Sequence, residues 1–137
     1  MIPTKQTVLH DPENGKIGNC LSAVLASLLH VPIEDVPVFA DAVTWRKDLN
    51  AWLRQYGLAY VMLAKDDFLA DYGIEGVWHE ISGDSPRRHD VMHACVAKDG
   101  EVVFDPHPDD SGLVVATLQG FFIALAPWKT AAGASKE

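Results

Sequence analysis

Gly18-Asn19-Cys20-Leu21-Ser22-Ala23-Val24-Leu25-Ala26-Ser27-Leu28-Leu29 is the stretch around which the rest of the chain is read. Asn19 is a good N-cap residue, and Leu21, Val24, Leu25, Leu28 and Leu29 follow it at helical spacing. The positions between them are Ala and Ser, so little on this helix demands water. Such a helix packs in the middle of a domain. Pro32 disfavours a helical Val31 and sets its end.

Downstream, Pro32 to Val36 suggests one short turn, and a second helix is expected from Asp41 to Tyr56. Its stripe is Trp45, Leu49, Trp52, Leu53 and Tyr56, and Gly57 supplies the stop. Trp45 and Trp52 read as core at that spacing. Leu58 to Ala64 is β-like, and Asp66 to Tyr72 suggests a short helix before Gly73. Val77 to Ile81 reads as a strand, with a turn over Ser82 to Pro86. Strands are expected at 91–97 and 101–105, flanking Lys98-Asp99-Gly100, and at 121–126, with 113–118 weaker. Helices first and strands afterwards favour an α+β domain with an antiparallel sheet on the early helices. One domain over 1–129 and a loose tail over 130–137 complete the expectation.

The 137 residues are enough for one core and too few for two. Eleven Lys+Arg against nineteen Asp+Glu give a net charge of −8, which argues against nucleic acid as a partner. The longest apolar run, Leu21 to Leu29, is far too short to span a membrane, and residues 1–18 hold no apolar secretion segment. Two cysteines make no disulfide framework. The expectation is a cytoplasmic protein with reduced thiols.

Cys20 stands in the first turn of its helix, where free N–H groups and the positive dipole end favour a thiolate and an adjacent oxyanion. A three-residue hairpin loop at Lys98-Asp99-Gly100 would pair Ala97 with Glu101, Cys95 with Val103 and His93 with Asp105. His93 and Asp105 would then touch on one face, with Cys95 as a packed thiol beside them. A two-residue loop would put His93 and Asp105 on opposite faces. A thiol, a histidine to take its proton and a carboxylate to orient the ring make a coherent nucleophilic set.

Gly18-Asn19-Cys20 and its helix resemble the nucleophile helix of papain-like cysteine peptidases, especially the compact C39-like group. His93-Ala94-Cys95-Val96 and Val102-Val103-Phe104-Asp105-Pro106 resemble that group's His strand and Asp-Pro strand end. The resemblance implies a papain-like α+β fold with the Cys helix against an antiparallel sheet. It implies Cys20 as nucleophile, His93 as general base and Asp105 as orienting residue, acting on a peptide or other amide or acyl substrate without a cofactor. The family places an oxyanion Gln shortly before the Cys. Gln6 is favoured here for its reach across a loop-like segment, with Asn14 and Asn19 as alternatives.

Two other readings compete with a hydrolase. One is a non-catalytic binding module on the same fold. The other is a zinc protein using His79, His89, His93, His107 and Cys20; but i and i+4 are about 13 Å apart on a strand, so His89 and His93 cannot share an ion there, and no metal site is expected. His107 reads as a loop cap near the site. Arg87-Arg88 reads as a solvated basic turn bordering the cleft.

Overall fold

The computed structural model describes residues 1–66 and 68–134. Helix α1 runs Cys20–Leu29 and ends at His30, whose φ of 58° is left-handed and whose N–H bonds to the Ala26 carbonyl. Its residues 22–27 are all buried. Leu25 and Ala26 pack with Val36, Leu49, Leu53 and Tyr60, while Val24 packs with Ala94 and Val96. The helix is packed on two sides, in keeping with its nearly uniform apolar composition.

Helix α2 is shorter than its stripe implied, Trp45–Leu53 followed by a 3₁₀ turn over Arg54–Tyr56. The Asp41 carboxylate accepts the N–H groups of Val43 and Thr44, which makes 41–44 a side-chain-closed turn instead of a first helical turn. Gly57, at φ 70°, ends it as expected.

Five strands follow: β1 Leu58–Ala64, β2 Trp78–Asp84, β3 Met92–Lys98, β4 Glu101–Phe104 and β5 Ala116–Ala124. They form one sheet in the order β1-β5-β2-β3-β4, every neighbouring pair antiparallel. Helix α1 lies against β3 and β2, and α2 against β1. A short α3, Phe68–Asp71, bridges β1 and β2. The chain is an α+β domain with its helices on an antiparallel sheet, and among the described residues no helix is long and apolar enough to cross a membrane.

Four further expectations are corrected. Strand β2 continues through Ser82-Gly83-Asp84, where turn chemistry suggested a loop, because β3 and β5 pair with it on both sides there. Strand β5 is one strand of nine residues through Gly120, not two pieces. Residues 130–134, expected in a loose tail, belong to helix α4, Pro127–Ala134, and 135–137 lie outside the described residues.

The fourth concerns the β3–β4 hairpin. Its loop has two residues, Asp99 and Gly100, at φ 51° and 84°, a left-handed pair suited to the twist of the strands. Lys98 therefore pairs with Glu101 and Ala97 with Val102, overturning the predicted pairing. The register then shifts by one residue, so that Val96 pairs with Phe104. The additional residue in β4 restores the parity that the shorter turn removes. His93 and Asp105 meet for this reason, and counting on places Asp105 across from Cys95.

Candidate active site

His93 is the second residue of β3, and Asp105 follows the last residue of β4. His93 Nε2 lies 2.7 Å from Asp105 Oδ1, and both side chains are 5% exposed. Asp105 Oδ1 also accepts the His107 N–H, and Oδ2 accepts the Gly112 N–H at 2.7 Å. Burial pushes the Asp105 carboxyl up, but the donors at His93, His107 and Gly112 outweigh it and hold the group below its ordinary value. Asp105 is thus an ionised clamp for its own loop as well as a partner for the imidazole. With Nε2 engaged, Nδ1 is the ring nitrogen left for another group.

The amino-terminal strap completes one wall. The Gln6 N–H bonds to the Pro106 carbonyl, and the Lys5 ammonium bonds to the carbonyls of Asp105 and His107. At its other end the Asn19 carboxamide accepts the Thr7 and Val8 N–H groups and donates to Thr7 Oγ1. Asn19 occupies the cap position of α1 without a side-chain cap bond. It holds the strap through both its oxygen and its nitrogen. Asn14 is exposed and bonded to Asp11. Gln6 is buried, with Nε2 donating to the Val8 carbonyl and Oε1, among the described residues, without a partner. Of the three amides, that of Gln6 lines a cavity with Cys20 and His93.

Cys20 and His93 sit between two cavities and line both. One, of about 400 Å³, has Gln6, His10, Arg87 and His107 in its walls. Arg87 is paired with Asp109 at 2.8 Å, and Arg88 with Glu13 at 2.6 Å, so this basic turn is largely neutralised. The other, of about 350 Å³, has Phe39, Trp45 and Met62 in its walls and Glu80 and Ser82 beside them.

Burial dominates the electrostatics. It pushes the Cys20 thiol up despite the lowering effect of the Ala94 N–H on β3 and of the helix N–H groups of Leu21 and Cys20, and it pushes His93 down despite Asp105. Among the described residues no hydrogen bond joins Cys20 to His93. At neutral pH the pair is therefore a thiol and a neutral imidazole, neither of them charged.

Among the described residues, Cys20 and the histidines weighed for zinc form no cluster of three close ligands. His89 is fully exposed. His79 is buried, its Nδ1 near the Glu80 carbonyl and its Nε2 accepting the Gly100 N–H. His93, Cys95 and Asp105 do come within 4.8 Å of one another. Two of them are already bonded together, and the Cys95 thiol is pushed far up by burial and by Asp105. This trio is a hydrogen-bonded cluster as it stands. His107 closes its loop as expected, Nδ1 accepting the Asp109 N–H at 3.1 Å.

Glu80 escaped the sequence reading. It stands on β2 with Ser82 on the same face, buried, with Tyr60 donating to Oε2 at 2.9 Å. The Tyr60 ring crosses Gly120 to get there: a Cβ at 120 would lie 2.1 Å from the tyrosine hydroxyl. A polar residue in a predicted strand was visible, but its inward side was not, because the 77–81 boundary left the pairing on both edges unread. Burial raises the Glu80 carboxyl to about 7 even with the Tyr60 and Ser82 hydroxyls on it.

That value has a thermodynamic consequence. The unfolded carboxyl ionises near 4.5 and the folded one near 7, so the folded state holds an extra proton between them. The stabilisation is complete below the unfolded value and lost as pH rises through about 7, and amounts to about 3 kcal/mol. His79 and His93, both lowered by burial, act oppositely: their contribution is present above the ordinary 6.5 and lost on acidification. Urea unfolding of the wild type and Glu80→Gln at about pH 5 and pH 8 separates the two effects. The variant should gain about 2–3 kcal/mol on the wild type over that range, and a flat difference would remove the buried, titrating carboxyl.

Compared with known protein families, characterised proteins and solved structures, the chain matches none of them.

Proposed function

We propose that this chain is a small papain-like cysteine hydrolase that cleaves an amide, isopeptide or related acyl bond through a thioester on Cys20. The supporting observation is that Cys20, at the first position of α1, and His93, locked by Asp105 at 2.7 Å, line the same two cavities. His93 Nδ1 takes the thiol proton as sulfur attacks the carbonyl carbon. The Cys20 N–H and the second amide hydrogen of Gln6 Nε2 hold the oxyanion. Collapse of the tetrahedral species expels the amine, which leaves with the proton from His93. Water then attacks the thioester with His93 again as base, releasing the acid and restoring the thiol. Asp105 holds the imidazole tautomer throughout and stabilises the transient imidazolium.

The neutral resting pair favours a second reading, a papain-like module that binds without turnover. Activated acyl esters followed by intact mass spectrometry, together with turnover of a fluorogenic peptide-amide library, separate the two. The hydrolase gives an acyl adduct on Cys20 and amide cleavage. Cys20→Ala should remain folded and lose both entirely, and His93→Ala should slow acylation by about 10²–10⁴-fold. Cleavage that survives in Cys20→Ala eliminates the mechanism, and a wild-type protein that is never acylated leaves the binding module.

A further inference from the structure

We propose that the cavity between Cys20 and Glu80 is a side-chain pocket for a cationic group on an aliphatic stem, such as a lysine-like or arginine-like residue next to the bond attacked. This rests on the hydrolase reading only for the phrase "bond attacked"; the pocket itself stands on its walls. Phe39, Trp45, Met62 and Leu118 supply apolar and aromatic surface suited to a methylene stem. Glu80 and Ser82 are the acidic and hydroxyl groups beside them, and both are buried. Cys20 lines the same cavity, so a group attached at the sulfur borders this space.

A carboxyl buried under an apolar pocket costs stability unless its charge is matched. Among the described residues Glu80 is met by hydroxyls, those of Tyr60 at 2.9 Å and of Ser82. Arg46 lines the cavity but is exposed, and it is directed over the Trp45 ring at 5.2 Å. A ligand ammonium or guanidinium supplies the missing countercharge, and the carboxyl sheds its proton to receive it. An uncharged apolar group of the same length would enter the walls and leave Glu80 unmatched. The Arg87 side of the cleft has no such need, since its guanidinium is already paired with Asp109.

The test uses two chloroacetamides that alkylate Cys20, one with an aminobutyl arm and one with a neutral pentyl arm of equal length. In each the new S–C bond replaces C–Cl, chloride leaves, and the thiol proton passes to buffer. Apolar walls alone favour the pentyl arm. At about pH 8 the aminobutyl reagent should instead label Cys20 about tenfold faster, and Glu80→Gln should bring the ratio to about one or below. Equal or faster labelling by the pentyl arm overturns the pocket, as does a cationic preference that persists in Glu80→Gln.

If Glu80→Gln does not fold, the wild-type ratio at about pH 5 and pH 8 replaces it. The groups bearing on Glu80 there are Tyr60, Ser82, Cys20, Cys95, Arg46 and His93. The ratio cancels Cys20 ionisation, and it should fall as Glu80 takes its proton; a constant ratio overturns the pocket. If neither reagent reacts, titration with pentylammonium is followed through the amide shifts of Glu80 and Ser82. Saturable shifts support the pocket and none removes it. Cationic preference without hydrolysis ends the hydrolase and keeps the pocket; hydrolysis without the preference does the reverse.

Discussion

Asp105→Ala should destabilise the protein by about 3–5 kcal/mol, a large share of the total stability of a domain this size. The carboxylate accepts from His93 Nε2 and from the backbone N–H groups of His107 and Gly112, and it lies within 4.8 Å of the Cys95 sulfur. Alanine leaves these buried donors without an acceptor, and each costs far more unmet than the bond was worth. The damage spreads along the loop, since Leu113 and Ala116 cover Ile81, Cys95 and Ala97 on the sheet face away from α1. Because the carboxyl is held below its ordinary value, its stabilisation is complete above the usual Asp pKa and is lost as pH falls through the folded value. The stability gap between wild type and variant should therefore narrow in acid. Urea unfolding at neutral and acidic pH measures both effects. A variant within about 1 kcal/mol of wild type at neutral pH would mean that the clamp carries little.

Gly83→Ala should cost about 2–4 kcal/mol and peel the start of β5 from β2. A Cβ at this position would lie 1.9 Å from the Val115 carbonyl oxygen and 2.9 Å from its carbon. Both are backbone atoms of the segment leading into β5, so no side chain can swing aside to make room. The bulge between Ser82 and Gly83 already marks where β2 and β5 lose their even pairing. The bond from the Val114 N–H to the Asp84 carbonyl lies in this region and would open with it. Hydrogen exchange reads the result directly: Val114 and Ala116 should lose protection while β1 retains its own. Unchanged protection at Val114 would show that the close approach relaxes at little cost.

The two ends of the candidate site were legible to different degrees. The start of helix α1 was readable to the residue, since its cap position and apolar spacing are local signals, and its end came at a left-handed His30, just before the boundary that Pro32 marks. Strand β1 was equally readable, bounded by Gly57 and by Lys65-Asp66. Asp41 shortened α2 through a side-chain turn that competes locally with helix, and Ser82-Gly83-Asp84 became strand through partners distant in sequence. Glu80 went unnoticed because its importance comes from what lies across β5: a tyrosine on β1 reaching over a glycine. His93 and Asp105 were brought together on paper by a turn that the chain does not use. Their contact came from a bulge, which no spacing rule announces.

The hairpin beneath that contact behaves like a reading frame with a suppressed shift. A turn one residue shorter than predicted throws the strand out of phase, and one supernumerary residue in β4 returns it to phase before Asp105. Removing either irregularity alone exchanges the inward and outward sets over the end of the strand, so Asp105 would face away from His93. Removing both keeps the phase and leaves a plainer hairpin. Changes of chain length around Asp99 and Val103 are consequently tolerable only in compensating pairs, although each position taken singly lies at an accessible edge of the sheet.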